Sequence, residues 1–227
     1  MTGYSKEEVL GKNPRLLKSG EQPESYYANL WSTISSGKVW QGEIVNKRKD
    51  GTTYTEEMTI TPVNQGVGNT AATQFIAIKQ DITARKQAEK ELRLAQFSVE
   101  HASDNIFLSN SQGHFVYVNK AACDSLGYSR EELLSLSVAD LNPRFREEQD
   151  WPTFWEELKR QGSITYEGRN ISKQGQVFPA EVTANYLEFD GQEYSFAFVR
   201  NITERKVAEE QKRHFFLLPT SASECLR

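Results

Sequence analysis

The sequence predicts an α+β fold made twice in tandem, each copy an antiparallel sheet with short flanking helices, the two joined by a helical linker. Three observations carry this. The chain repeats itself at an offset of 124 residues. The second copy reads as two strands, several short helices and three strands. Both copies close on the same motif, Asp81-Ile82-Thr83-Ala84-Arg85-Lys86 and Asn201-Ile202-Thr203-Glu204-Arg205-Lys206, at an offset of 120.

The repeat sets the domain divisions. Gly3-Tyr4-Ser5-Lys6-Glu7-Glu8-Val9-Leu10 returns as Gly127-Tyr128-Ser129-Arg130-Glu131-Glu132-Leu133-Leu134. Leu30-Trp31 returns as Phe154-Trp155, Lys49-Asp50-Gly51 as Lys173-Gln174-Gly175, and Glu57-Met58-Thr59 as Glu181-Val182-Thr183. The offset falls to 120 across Asn64–Asn69, a long hairpin loop, where length change is best tolerated. Met1 aligns with Ser125, so the first copy has no counterpart of the run before Ser125. The expected divisions are 1–86, a copy incomplete at its N-terminus; 87–102, a linker helix; 103–203, a complete copy; and 204–227, an outgoing helix and truncated tail. The missing part includes two strands, which leaves a sheet edge and part of a core bare unless another segment supplies them.

In the complete copy each element has a local reason. Residues 85–102 lack Gly and Pro, and Ala88, Leu92, Ala95, Val99 and Ala102 make a heptad-like seam. Asn105-Ile106-Phe107-Leu108-Ser109 and His114-Phe115-Val116-Tyr117-Val118 flank the turn Asn110-Ser111-Gln112-Gly113 as a hairpin. Asn119 caps a short helix, 120–126, that Gly127 ends. Ser129 with Glu132 forms a capping box, which Ser5 with Glu8 repeats. Asn142-Pro143 breaks the chain before an amphipathic helix, 147–160, carrying Phe154, Trp155 and Leu158. Strands at 163–172, 177–188 and 193–202 turn at Gln174-Gly175 and Asp190-Gly191. On the last strand Tyr194, Phe196 and Phe198 alternate with Ser195, Ala197 and Val199. The aromatic face is expected to point into the core and the small face toward a helix or partner.

Composition narrows the function. A net charge of −4 argues against nucleic-acid binding, which normally shows a basic stripe. No apolar run is long enough to span a membrane and no signal peptide precedes the first repeat, so a cytoplasmic location is expected. Cys123 and Cys225 lie far apart without metal-like spacing and read as reduced thiols. No P-loop, nucleophile elbow, zinc spacing or cyclase signature is present. The acidic pairs Glu7/Glu8 and Glu131/Glu132 are helix starts favoured by the dipole. No catalytic residue is expected.

The order of elements, with Gly-Tyr-Ser-x-Glu-Glu at 3–8 and 127–132 and the exit motifs at 81–86 and 201–206, resembles the PAS/PAC sensory family over nearly the whole chain. The resemblance implies a five-stranded antiparallel sheet cupping a small cavity, homodimerisation through flanking helices, and a downstream output domain such as a histidine kinase. It implies signal-relay roles for Asp81, Thr83 and Arg85, with Asp81 holding Arg85, and for Asn201, Thr203 and Arg205. Asn201 cannot form the ion pair, so the second junction is expected to be softer.

The resemblance also frames the cofactor question, and no cofactor is expected. Gly11-Lys12-Asn13-Pro14-Arg15-Leu16-Leu17-Lys18 looks like the flavin-binding motif of blue-light sensors, but Pro14 stands where the reactive cysteine would, which excludes a cysteinyl-flavin adduct there. Haem needs an axial ligand, and none of His101, His114 and His214 lies on helix 147–160. Tyr117, Phe154, Tyr166, Phe196 and Phe198 either line a small-ligand cavity in the second copy or fill it. The run from His214 to Pro219 shares its His and Pro with a kinase phospho-acceptor box but lacks the acid after His and reads as a chance match or vestige. The expected function is a non-catalytic module that detects a small ligand or partner and relays it through dimeric helices. Two alternatives stand beside it: the sensor part of a histidine kinase, and a ligand-free interaction scaffold.

Overall fold

The computed structural model describes residues 2–63 and 74–216, which form two compact units, Met1–Leu94 and Ala95–Arg227. The loop Asn64–Asn69, Cys225 and residues 217–219 of the run from His214 lie outside the described residues.

In the first unit, α1 (Lys6–Val9) starts on the Ser5/Glu8 capping box and α2 (Glu24–Ser35) on Pro23. Strands β1 (Trp40–Lys47), β2 (Thr53–Val63) and β3 (Gln74–Asp81) form an antiparallel sheet in the order β1-β2-β3. Helix α2 lays Leu30 and Ile34 against Trp40, Ile44, Met58 and Ile60. Strand β3 is left largely exposed, with Ile76 and Ile78 57% and 71% accessible. In the second unit the matching strand is central, so its neighbours cover the equivalent positions better.

Helix α3 (Thr83–Glu100) crosses the division between the units. The second unit then runs β4 (Asn105–Asn110), β5 (Phe115–Val118), α4 (Lys120–Leu126), α5 (Arg130–Leu134), α6 (Val138–Leu141), α7 (Asp150–Gln161), β6 (Ser163–Ile171), β7 (Val177–Phe189), β8 (Gln192–Asn201) and α8 (Thr203–Phe216). Its five-stranded antiparallel sheet has the order β5-β4-β8-β7-β6. Asn119 caps α4, Gly127 ends it in the left-handed conformation at φ 77°, and Ser129 and Glu132 close the second capping box. The expected helix 147–160 begins only at Asp150. The Asp150 carboxylate accepts from the Glu147 N–H at 3.0 Å, which holds 147–149 as a turn.

The alternation on β8 runs opposite to expectation. Ser195, Ala197 and Val199 face the core, while Phe198 is 37% exposed and packs on Phe196 on the other face, ring centroids 4.9 Å apart. The reason is volume. Phe107, Phe115, Phe145 and Phe154 already crowd the concave side, so the central strand contributes small residues there.

One buried side chain ties these parts together. Asn119 is fully buried. Its Oδ1 accepts from Ile106 N–H on β4 and Ala122 N–H on α4, each at 3.0 Å. Its Nδ2 donates to the carbonyls of Asp104 at 3.0 Å and of Val99, in the last turn of α3, at 3.3 Å. Replacing it would strand several buried backbone groups at once. Asn119→Ala should lower the unfolding free energy by about 3 kcal/mol, measured by urea denaturation; a loss below about 1 kcal/mol would show that the network is dispensable.

Candidate functional site

Each unit hands its last strand to a helix through the same junction. Ile82 and Ile202 are both 2% exposed and anchor the turn. Their N–H groups donate back to β2 and β7, to Thr55 O at 2.9 Å and Pro179 O at 3.1 Å. Asp81 Oδ1 accepts from the Thr83 N–H at 3.0 Å and hydroxyl at 2.5 Å. Asn201 Oδ1 accepts from the Thr203 N–H at 2.9 Å and hydroxyl at 2.6 Å. In the first junction Thr55 N–H also donates to Thr83 Oγ1 at 3.0 Å. Pro179 has no N–H to repeat it.

The ion pairs differ from those expected. Asp81 pairs with Arg48 at 2.6 Å, not with Arg85, which lies 3.9 Å from Glu89. Arg48 also donates to Thr53 O, so the β1–β2 turn holds it beside the end of β3. The second junction carries more ion pairs around its helix start. Arg205 bonds Glu167 at 2.6 Å and Glu181 at 3.0 Å, and Lys206 bonds Glu167 at 2.6 Å. Glu167 and Glu181 stand directly opposite each other on β6 and β7, a like-charge pair that favours a cation between them. Among the described residues Asn201 makes no ion pair, and the Lys206–Glu167 pair has its counterpart in Lys86–Glu43 of the first junction.

The cavity of the second unit lies between the concave face of the sheet and α6–α7, with a volume of about 50 Å³. Of the residues expected there, Phe154 and Tyr166 line it. Tyr117, Phe196 and Phe198 do not: Leu108 is paired with both Tyr117 and Phe196, and Ile106 with Phe198, on the convex face. Tyr117 instead donates to Glu100 at the end of α3, at 2.9 Å, and burial and this carboxylate push its hydroxyl up to about 12. Sequence reasoning missed Ser109, Asn142, Asn170 and Ser195, the polar part of the lining. The small residues alternating on β8 were their one legible signal.

Glycine shapes the cavity wall. A Cβ on Gly168 would stand 3.1 Å from the Tyr166 ring, so the ring lies across the strand there. Tyr166 accepts from Asn142 Nδ2 at 3.2 Å, and burial pushes its hydroxyl up to about 12. The guanidinium of the exposed Arg144 covers the ring from outside, 4.5 Å from its centroid.

The first unit has a wider recess, of about 680 Å³, partly lined by Asn13, Pro14 and Arg15. Its wall holds a buried carboxylate. Glu56 is fully buried and accepts from Lys79 Nζ at 2.7 Å, Asn46 Nδ2 at 2.8 Å and the Tyr54 hydroxyl at 3.2 Å. The repeat places Asn170 at the position of Asn46 but Ala180, Val199 and Phe178 at those of Glu56, Lys79 and Tyr54. Among the described residues no three His, Cys, Asp or Glu side chains gather as a metal site, and no helix is long and apolar enough to cross a membrane.

A family model described as PAS domain matches residues 1–84 and 103–204. The nitrogen fixation regulatory protein of Klebsiella oxytoca is 34% identical over 145 residues, 61% of this chain and 29% of that protein. Biofilm dispersion protein BdlA of Pseudomonas aeruginosa is 25% identical over 209 residues, 90% of this chain and 49% of that protein. The chain thus spans less than half the length of these relatives. Among solved structures, a PAS domain from a two-component sensor histidine kinase is 31% identical, covering 51% of this chain and 99% of that one, with a TM-score of 0.45.

Gly168→Ala should displace the Tyr166 ring and cost about 1–2 kcal/mol by urea denaturation. The Asp81 carboxyl is held below its ordinary value, first by the Thr83 hydroxyl and also by Arg48. A lowered carboxyl stabilises the fold above its unfolded pKa, and that contribution is lost as pH falls through the folded value. Asp81→Asn should therefore flatten the loss of stability below about pH 4; an unchanged acid limb would show that Asp81 contributes nothing to it.

Proposed function

The chain belongs to the PAS domain family, matched in both of its units, and from that premise we propose that it is a non-catalytic sensory and relay module. The second unit detects a small ligand or partner at its cavity. The change passes through α3 and α8 in a homodimer to an output domain, of which a histidine kinase is the kind we favour. We place the module in the cytoplasm, with Cys123 as a free thiol.

One observation carries the reading. Both units end on a hydrogen-bonded junction whose isoleucine is buried and whose threonine is tied to the strand end. A shift of the sheet then displaces the start of the helix rather than being absorbed by a slack loop. The entry to the second unit is tied as well, through Asn119 to the Val99 carbonyl and through Glu100 to Tyr117 and Arg130. Relay further requires two packings of similar energy that binding can bias. Exposed apolar residues on α3 support the dimer: Leu92, Leu94 and Phe97 are 60%, 62% and 58% accessible. Leu92 lies on the seam of Ala88, Leu92, Ala95 and Val99, whereas Leu94 and Phe97 lie on the opposite side of the helix.

The test is oligomeric state. Light scattering after size exclusion should give a dimer mass for the chain and a monomer mass for the double variant Leu92→Glu, Phe97→Glu, with unchanged circular dichroism. A chain that stays monomeric at high concentration would refute helix-mediated dimeric relay and favour a ligand-free scaffold.

A further inference from the structure

We propose that the cavity of the second unit selects a small, uncharged molecule carrying a hydrogen-bond donor, and that the side-chain carbonyl of Asn170 reads that donor. The proposal rests on the reading of the second unit as a sensor and names the class of molecule sensed.

Asn170 lies on the concave face of β6 and lines the cavity at 4% exposure. Its Oδ1 is sealed from solvent and is the one such buried side-chain atom without a hydrogen-bond partner among the described residues. Buried polar atoms are nearly always paired, and an unpaired one costs stability. The repeat shows what the position has lost. In the first unit Asn46 donates to Glu56 at 2.8 Å, and Glu56 takes a further bond from Lys79. In the second unit Ala180 and Val199 occupy those places, so the asparagine is present without its charged partners.

The rest of the lining sets the chemistry. No lining residue carries a formal charge: the polar ones are Ser109, Asn142, Tyr166, Asn170 and Ser195, among apolar and aromatic walls. An ion entering would be desolvated without a counter-charge. The nearest formal charge, the Arg144 guanidinium, is not part of the lining; it lies 4.5 Å from the Tyr166 ring centroid and 5.6 Å from those of Phe145 and Phe154, and is exposed to solvent. Asn142 and Tyr166 already bond each other at 3.2 Å. The volume of about 50 Å³ limits the occupant to a few heavy atoms, or to about two ordered waters. The first unit is built for different chemistry, with Arg15, Lys18, Glu56 and Lys79 around its recess. The two copies therefore select different molecules.

The test uses three probes of equal heavy-atom count: acetamide, which donates a hydrogen bond, acetone, which cannot, and acetate, which is charged. Each is titrated into the full chain and into Asn170→Leu, and amide chemical shifts are followed by NMR. Acetamide should perturb the cavity-lining residues and bind at least about fivefold tighter than acetone, with no saturable binding of acetate. In Asn170→Leu the two neutral probes should bind alike. Acetone binding as tightly as acetamide to the wild-type chain would overturn the role of Asn170 and leave the sensor reading standing. Acetate binding tightest would overturn the uncharged class. No binding of any probe up to about 100 mM would mean that the cavity holds ordered water only, and would sink both the inference and the ligand-sensing reading. If Asn170→Leu fails to fold, the wild-type series alone decides between these outcomes.

Discussion

The second unit depends on the burial of Asn119. A fully buried amide must use its hydrogen-bonding capacity inside the protein, and this one spends it on three elements at once: the end of α3, the start of β4 and the first turn of α4. Incoming helix, sheet and helical cap are thereby fixed to one atom group. The outgoing side repeats the logic with backbone bonds and a buried isoleucine at the β8–α8 junction. Between these two ties lies the sheet that walls the cavity. A change in cavity packing therefore meets hydrogen-bonded connections at both ends.

The two copies share this frame and differ in what it encloses. Each leans one aromatic ring of its first wall strand over a glycine, Trp40 over Gly42 and Tyr166 over Gly168, but the pair is displaced by two residues along the strand. The first copy buries an acid with a lysine and an asparagine; the second replaces that cluster with alanine, valine and an unaccompanied asparagine. Duplication preserved the junctions and capping boxes while the interior diverged.

Much of the fold was legible in the sequence because local chemistry decides it. Asn119 and Gly127 bracket α4, the capping boxes start α1 and α5, and Asp190-Gly191 turns β7 into β8 with both residues at positive φ. What failed was non-local. An alternating strand presents two faces, and nothing in Tyr194–Val199 says which one the rest of the chain has left room for. Aromatic residues from four other segments had taken the concave side, so Phe196 and Phe198 went outward and only Phe154 and Tyr166 of the expected lining remained. The partner of Asp81 was hidden for a related reason: Arg48 reaches it across the sheet, 33 positions away in sequence, while the nearer Arg85 turns along its own helix. Nothing in its own segment marks Asn170 as unpartnered, since its counterpart Asn46 is the same residue and does find a partner.

If the β8–α8 junction carries the relay, the cavity wall and the start of α8 respond as one unit. Amide hydrogen exchange on the chain and on Ala184→Val, which adds volume to the wall of the cavity on β7, tests it most directly. Altered protection is expected not only along β7 and β8 but also through residues 202–206, carried across the Ile202 and Thr203 junction. Altered protection confined to the cavity wall, with 202–206 unchanged, would contradict it.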